Sequence, residues 1–162
     1  RVLRETAITT AKLFFILFGA LIFSNFVNKA GLPDGLINIV NAFELSPLGV
    51  IFIILLIYVV LGCVFESLSM ILLTVPVFAP LVASLGFDLV WFGILVVVVT
   101  EISLITPPIG LNVFVLKGML KDVSVGTIFK GVTPFWIADI LRLILLVMVP
   151  SIALILPSMM MN

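Results

Sequence analysis

Residues 90–120 form an apolar run that is interrupted once, at Glu101-Ile102-Ser103-Leu104-Ile105-Thr106-Pro107-Pro108-Ile109-Gly110-Leu111-Asn112. Nothing in a lipid-facing helix requires a carboxylate, two hydroxyls, an amide, a glycine and two successive prolines. Proline has no N–H and clashes with the preceding turn, so the pair predicts the end of one helix and the start of another. Carbonyls are then freed on one side and N–H groups on the other. At membrane depth such groups are tolerated only when buried in protein or lining a polar cavity. The break is therefore a candidate binding site.

The membrane assignment follows from composition: 64% of the 162 residues are hydrophobic and 10% charged, with a mean hydropathy of +1.49. These values lie outside those of soluble domains. Eight basic and eight acidic residues cancel, which argues against nucleic acid as a partner. The absence of His excludes imidazole proton relays. Cys63 has no second cysteine to pair with and reads as a small hydrophobe. The chain begins with Arg1 and lacks the order of a signal peptide, so it reads as a piece of a longer polypeptide. There is no nucleotide-binding glycine loop and no Cys/His metal cluster. Cofactors other than ions are not expected, and an enzyme, even an intramembrane hydrolase built on two Glu residues, is a poor reading.

In chain order, residues 1–30 are long and apolar enough for a transmembrane helix, with Lys12 placed to snorkel. Residues 31–45 open on a turn and carry helically spaced apolar residues beside Asn38, Asn41 and Glu44, which predicts a short helix lying in the interface. Within residues 46–86, Pro47 suits a first helical turn, and residues 48–61 are apolar for about 20 Å of helix, short of a ~30 Å hydrocarbon core. A polar tip, Gly62-Cys63-Val64-Phe65-Glu66-Ser67-Leu68-Ser69, precedes a second apolar arm with Pro76 and Pro80. Two readings fit: a re-entrant hairpin, or two full spans with Glu66 at a surface. Residues 87–120 are the broken transmembrane helix, with Trp91 suited to an interface. Residues 121–132 form a loop, cytoplasmic because Lys117, Lys121 and Lys130 cluster there. Residues 133–162 are the final transmembrane helix, beginning at Thr133-Pro134, with Asp139 and Arg142 spaced to pair. Placing Arg1 and Arg4 on the cytoplasmic side too gives a consistent count of crossings and favours the hairpin.

Two interrupted segments match the pattern expected at the midplane site of a secondary transporter. Hydroxyls, carboxylates and freed carbonyls suit a hard cation such as Na⁺, and helix N-termini suit an anion. Glu66, Ser67, Ser69, Ser103, Thr106 and Pro107 are the candidate Na⁺ residues. Thr106, Pro108, Gly110 and Asn112, at the half-helix starting near Ile109, are the candidate substrate residues. Each has a plainer reading: Glu66 as a surface turn residue, Ser67, Ser69 and Asn112 bonding local backbone, Gly62 and Gly110 permitting close helix packing. Glu101 is expected to hold some partner at that depth.

Several segments carry a resemblance: Leu61-Gly62-Cys63-Val64-Phe65-Glu66-Ser67, the spacing of Pro76 and Pro80, Gly86-Phe87-Asp88, Trp91-Phe92-Gly93, and above all Thr100-Glu101-Ile102-Ser103-Leu104-Ile105-Thr106-Pro107-Pro108-Ile109-Gly110-Leu111-Asn112. Together the chain resembles the C-terminal portion of the large membrane subunit of TRAP transporters, the DctM-like permeases. One residue departs from the pattern, Glu66 standing where the family often has Asp. The resemblance implies an all-α integral membrane fold, the second inverted repeat of an elevator-type transporter with a re-entrant hairpin and a broken transmembrane helix. It also implies Na⁺-coupled uptake of organic acids across the bacterial inner membrane. The implied partners are a small TRAP membrane subunit, a periplasmic substrate-binding protein and the lipid bilayer. The alternatives are a Na⁺/dicarboxylate symporter needing no binding protein, or a membrane scaffold that transports nothing.

Overall fold

A computed structural model of the chain describes residues 2–107, 110–120 and 122–160. Arg1, Pro108, Ile109 and Lys121, which figured in the expectations above, lie outside the described residues. The described residues are helices and turns without strands: α1 (Val2–Lys29), α2 (Leu32–Ala42), α3 (Pro47–Leu61), α4 (Ser67–Ser84), α5 (Leu89–Ser103), α6 (Leu111–Met119), α7 (Val125–Met148) and α8 (Pro150–Met160). By length and composition α1, α4 and α7 can each cross a membrane, whereas α3, α5 and α8 are apolar but shorter.

Helix starts are set by short polar side chains that accept from N–H groups left without helical partners. Ser46 accepts from Gly49 N at 3.2 Å, with Pro47 in the first turn of α3. Asp88 accepts from Val90 N at 2.7 Å and Trp91 N at 3.0 Å at the head of α5. Ser124 accepts from Thr127 N at 3.1 Å at the head of α7.

The core is organised around α5, which packs against α3, α4, α7 and α8. Its buried residues Trp91, Phe92, Leu95, Val96, Val99 and Ile102 recur every three or four positions, one continuous stripe. From α3 the stripe meets Val50, Ile51, Ile54, Leu55 and Tyr58. Helices α3 and α4 each lie along α5 more extensively than along each other. They are tied at one point, where the hydroxyls of Tyr58 and Thr74 lie 2.6 Å apart and Thr74 Oγ1 donates to Met70 O at 2.7 Å. Since lipid tails are as apolar as the side chains, this packing draws on close van der Waals fit more than on water exclusion. The outer helix α1 buries only Ala20 and Val27, and its Phe14, Phe15, Phe18 and Phe23 face outward.

Three observations differ from the sequence expectations. Helix α7 starts at Val125, so most of residues 121–132 is helical and Pro134 lies inside the helix. The cap at Ser124 starts it early, and beside the proline Thr133 Oγ1 donates to Phe129 O at 2.8 Å. The segment 133–162 is also not one helix: α7 ends at Met148 and Val149 adopts φ −128°, ψ 74°. Pro150 disfavours helical geometry in the residue before it, which divides α7 from α8. Trp91, expected at an interface, is instead buried in protein, and its indole N–H donates to Leu146 O at 2.8 Å. The expected pairing of Asp139 with Arg142 is present at 3.0 Å.

Candidate functional site at the end of α5

Within the apolar stretch 90–120, α5 ends at Ser103 and α6 begins at Leu111. The end of α5 tightens into i→i−3 bonds, Ile105 N to Ile102 O and Thr106 N to Ser103 O, each 3.2 Å, as helix termini commonly do. Gly110 takes φ +47°, a left-handed conformation available to glycine at little cost. A Cβ there would lie 3.3 Å from Ile105 C and 3.3 Å from Thr106 O. The turn lets Asn112 N–H donate to Leu104 O at 3.1 Å, so the head of α6 satisfies a carbonyl freed by the end of α5.

Three polar residues are fully or nearly buried among the described residues: Thr100, Ser103 and Thr106. They are three residues apart, forming a row of hydroxyls along the last turns of α5 and into the junction. Ser103 Oγ donates to Thr100 O at 2.5 Å. Thr106 Oγ1 donates to Ile102 O at 2.7 Å and accepts from Trp136 Nε1, on α7, at 3.0 Å. Thr100 Oγ1 has no hydrogen-bond partner, the one such buried side-chain atom among the described residues. Leaving a buried hydroxyl without a partner costs about 1–3 kcal/mol, so Thr100 Oγ1 is the polar atom in this row that is open to a further ligand.

The tip between α3 and α4 reaches this row through Gly62. Its Cα sits so close that a Cβ would overlap Oγ and Cβ of Ser103 and approach Tyr58 O at 3.2 Å. The reading of Gly62 as a close-packing glycine is thereby met, and the two polar interruptions of the sequence become neighbours.

The other candidate residues behave differently. Glu66 is exposed and caps α4: Oε1 accepts from Leu68 N at 3.1 Å, and Oε2 from Ser69 N at 3.2 Å and Ser69 Oγ at 3.1 Å. No hydrogen bond joins Glu66 to Ser103 or Thr106. Ser67 is half-buried, Pro107 exposed and Gly110 buried. The Asn112 side chain is exposed. Glu101 is exposed on this chain, with no partner among the described residues. Pro108 lies outside the described residues. A cavity of about 210 Å³, lined by Ile105, Pro107, Phe129, Val132, Thr133 and Trp136, adjoins the junction.

Neither Thr100, which opens the motif carrying the resemblance, nor Trp136 was among the candidate site residues of the sequence. The signal for Trp136 was present, since an indole N–H in an apolar helix needs an acceptor. Thr100 carried none by residue type, because threonine inside a helix ordinarily bonds its own backbone.

What these features define is a polytopic helical membrane protein whose buried polar groups gather at helix ends. The sequence matches place it further: residues 1–152 match the family described as the tripartite ATP-independent periplasmic transporter, DctM component, and the chain belongs to that family, whose members are transport proteins and not enzymes. It is 31% identical over 147 residues to a putative TRAP transporter large permease protein of Haemophilus influenzae, covering 91% of this chain and 36% of that one. It is 30% identical over 158 residues both to the C4-dicarboxylate TRAP transporter large permease of Pseudomonas aeruginosa and to the sialic acid TRAP transporter large permease of Vibrio cholerae, covering 98% of this chain and 37% of each relative. The chain thus spans little more than a third of the length of these relatives.

Proposed function

We propose that this chain is part of the membrane permease of a TRAP-type secondary transporter in the bacterial inner membrane, coupling Na⁺ entry to uptake of organic acids. On this reading a periplasmic binding protein delivers the substrate and a small membrane subunit completes the assembly. Helices α3 and α4 are the arms of a re-entrant hairpin, α5 and α6 the halves of one broken transmembrane helix, and together they belong to the second inverted repeat of an elevator-type transporter. The relatives' named substrates, C4-dicarboxylates and sialic acid, share a carboxylate, which is the substrate class proposed here.

The observation that carries the Na⁺ assignment is the row Thr100, Ser103, Thr106, buried beside Gly62 with one hydroxyl unpartnered. Its donors are hydroxyl and carbonyl oxygens, the ligand type hard cations take. Among the described residues no cluster of three or more His, Cys, Asp or Glu offers a transition-metal site. Ser103 and Thr106 are the sequence-expected members of this set, and Thr100 joins them. Glu66, Ser67 and Ser69 hold the start of α4 and shape the tip, and any direct part for them or for Pro107 in ion binding is secondary. The substrate side falls to the head of α6, where the Asn112 amide is exposed and Gly110 makes a left-handed turn; Pro108 remains a candidate on sequence alone.

Thr106→Val tests the assignment in the full-length permease, reconstituted and assayed for uptake from a panel of C4-dicarboxylates and sialic acid. The variant keeps the shape and removes the oxygen. Na⁺ activation should shift to at least about fivefold higher concentration, the scale of one lost charge-assisted contact, with expression preserved. An unchanged Na⁺ response would remove Thr106 from the ion site.

A further inference from the structure

We propose that Trp136 is a positioning residue that fixes the Thr106 hydroxyl as a cation-facing acceptor; the inference rests on the ion-site reading above. A hydroxyl has one proton to give and two lone pairs to receive. Thr106 gives its proton to Ile102 O at 2.7 Å and receives the Trp136 indole N–H at 3.0 Å. One lone pair is left and no proton. Such an oxygen attracts a cation and offers a carboxylate nothing. Of the two roles assigned to Thr106 from the sequence, the indole selects the ion over the substrate.

The arrangement is non-local. Trp136 belongs to α7, and α7 is independently clamped to α5 by the Trp91 indole bonded to Leu146 O. The two indoles therefore hold the α5–α7 contact at opposite ends, and only one of them touches the hydroxyl row. Loss of the Trp136 N–H should leave α7 docked while releasing Thr106 to turn. Phenylalanine at this position removes the donor and keeps an aromatic ring beside the cavity; its packing cost lowers melting equally in both salts and so leaves the Na⁺ midpoint as the readout.

The test is a Na⁺ titration of thermal stability in the full-length permease, with K⁺ replacing Na⁺ at constant ionic strength, which needs no knowledge of the substrate. Trp136→Phe should raise the half-stabilising Na⁺ concentration about 3- to 10-fold, the effect of one oriented hydrogen bond. Trp91→Phe should lower melting in both salts without moving the Na⁺ midpoint. In the double variant with Thr106→Val, Trp136→Phe should add no further shift, since the oxygen it orients is gone. If Trp136→Phe leaves the midpoint within twofold while Thr106→Val moves it, the positioning role is overturned and the ion site stands. Should Thr106→Val leave it unmoved as well, the ion-site reading falls and takes this inference with it.

Discussion

Gly62→Ala is expected to destabilise the permease by about 3 kcal/mol, toward the upper end of the cost of overpacking a well-filled core, and to abolish uptake. The added Cβ would overlap both Cβ and Oγ of Ser103 and press on Tyr58 O. A rotamer change can move Oγ, but Cβ of Ser103 is fixed to the α5 backbone. The α3 end must therefore move away from α5. The clash itself supplies the control. Ser103→Gly removes both offending atoms, so the double variant should recover at least about half of the lost stability, measured by thermal unfolding in detergent. Uptake should not return with it, because the row has lost a hydroxyl. Purely additive losses would show that Gly62 and Ser103 do not meet as described.

Gly110→Ala should be the second costly change. Alanine in a left-handed conformation costs about 1–2 kcal/mol, and its Cβ would also crowd the Ile105 and Thr106 backbone at 3.3 Å. Relief by moving the turn would break the bond from Asn112 N to Leu104 O. A total near 2–3 kcal/mol is expected, with loss of Na⁺-dependent stabilisation. Gly118→Ala is the matched comparison. That glycine lies within α6, and a Cβ added there would meet nothing within 4 Å, so alanine should be neutral or stabilising by up to about 1 kcal/mol. Equal effects at both positions would mean that the turn at Gly110 has no special geometry.

The helix ends that a local residue determines were readable in advance. Pro107 marked the end of α5, Pro47 the first turn of α3, and Asp139 and Arg142 paired on their spacing alone. Where the chain has competing signals, sequence was weaker. Pro134 looked like a helix start, yet Ser124 caps α7 ten residues earlier and the proline lies inside the helix. Pro150 divides α7 from α8 inside what reads as one apolar run, because its effect falls on the backbone of Val149 and leaves hydropathy untouched. Trp91 has the composition of an interface anchor, and only the approach of Leu146 turns it inward.

The site shows the same division. Residue types at the break, Ser103 and Thr106, were legible because polar groups in an apolar run need a reason. Their partners were not. Gly62 against Ser103 and Trp136 on Thr106 join positions 41 and 30 residues apart, and nothing in local periodicity specifies such contacts. Glu66 drew attention as a carboxylate at a polar tip, but its cap on α4 satisfies it locally. Thr100, not a candidate in the sequence, became informative only when its burial and lack of a partner were seen together.

That unpartnered hydroxyl gives the most direct measurement of the central claim, that the row at the end of α5 holds Na⁺. Thermal unfolding of the full-length permease should be compared in Na⁺ and in K⁺, for the native sequence and for Thr100→Val. In K⁺ the variant should be at least as stable as the native protein, because valine removes a buried hydroxyl that has no partner. In Na⁺ the native protein should gain about 1.4 kcal/mol at ten times Kd, and Thr100→Val should lose most of that gain. The same difference between Na⁺ and K⁺ in both proteins, or none in either, would contradict the account.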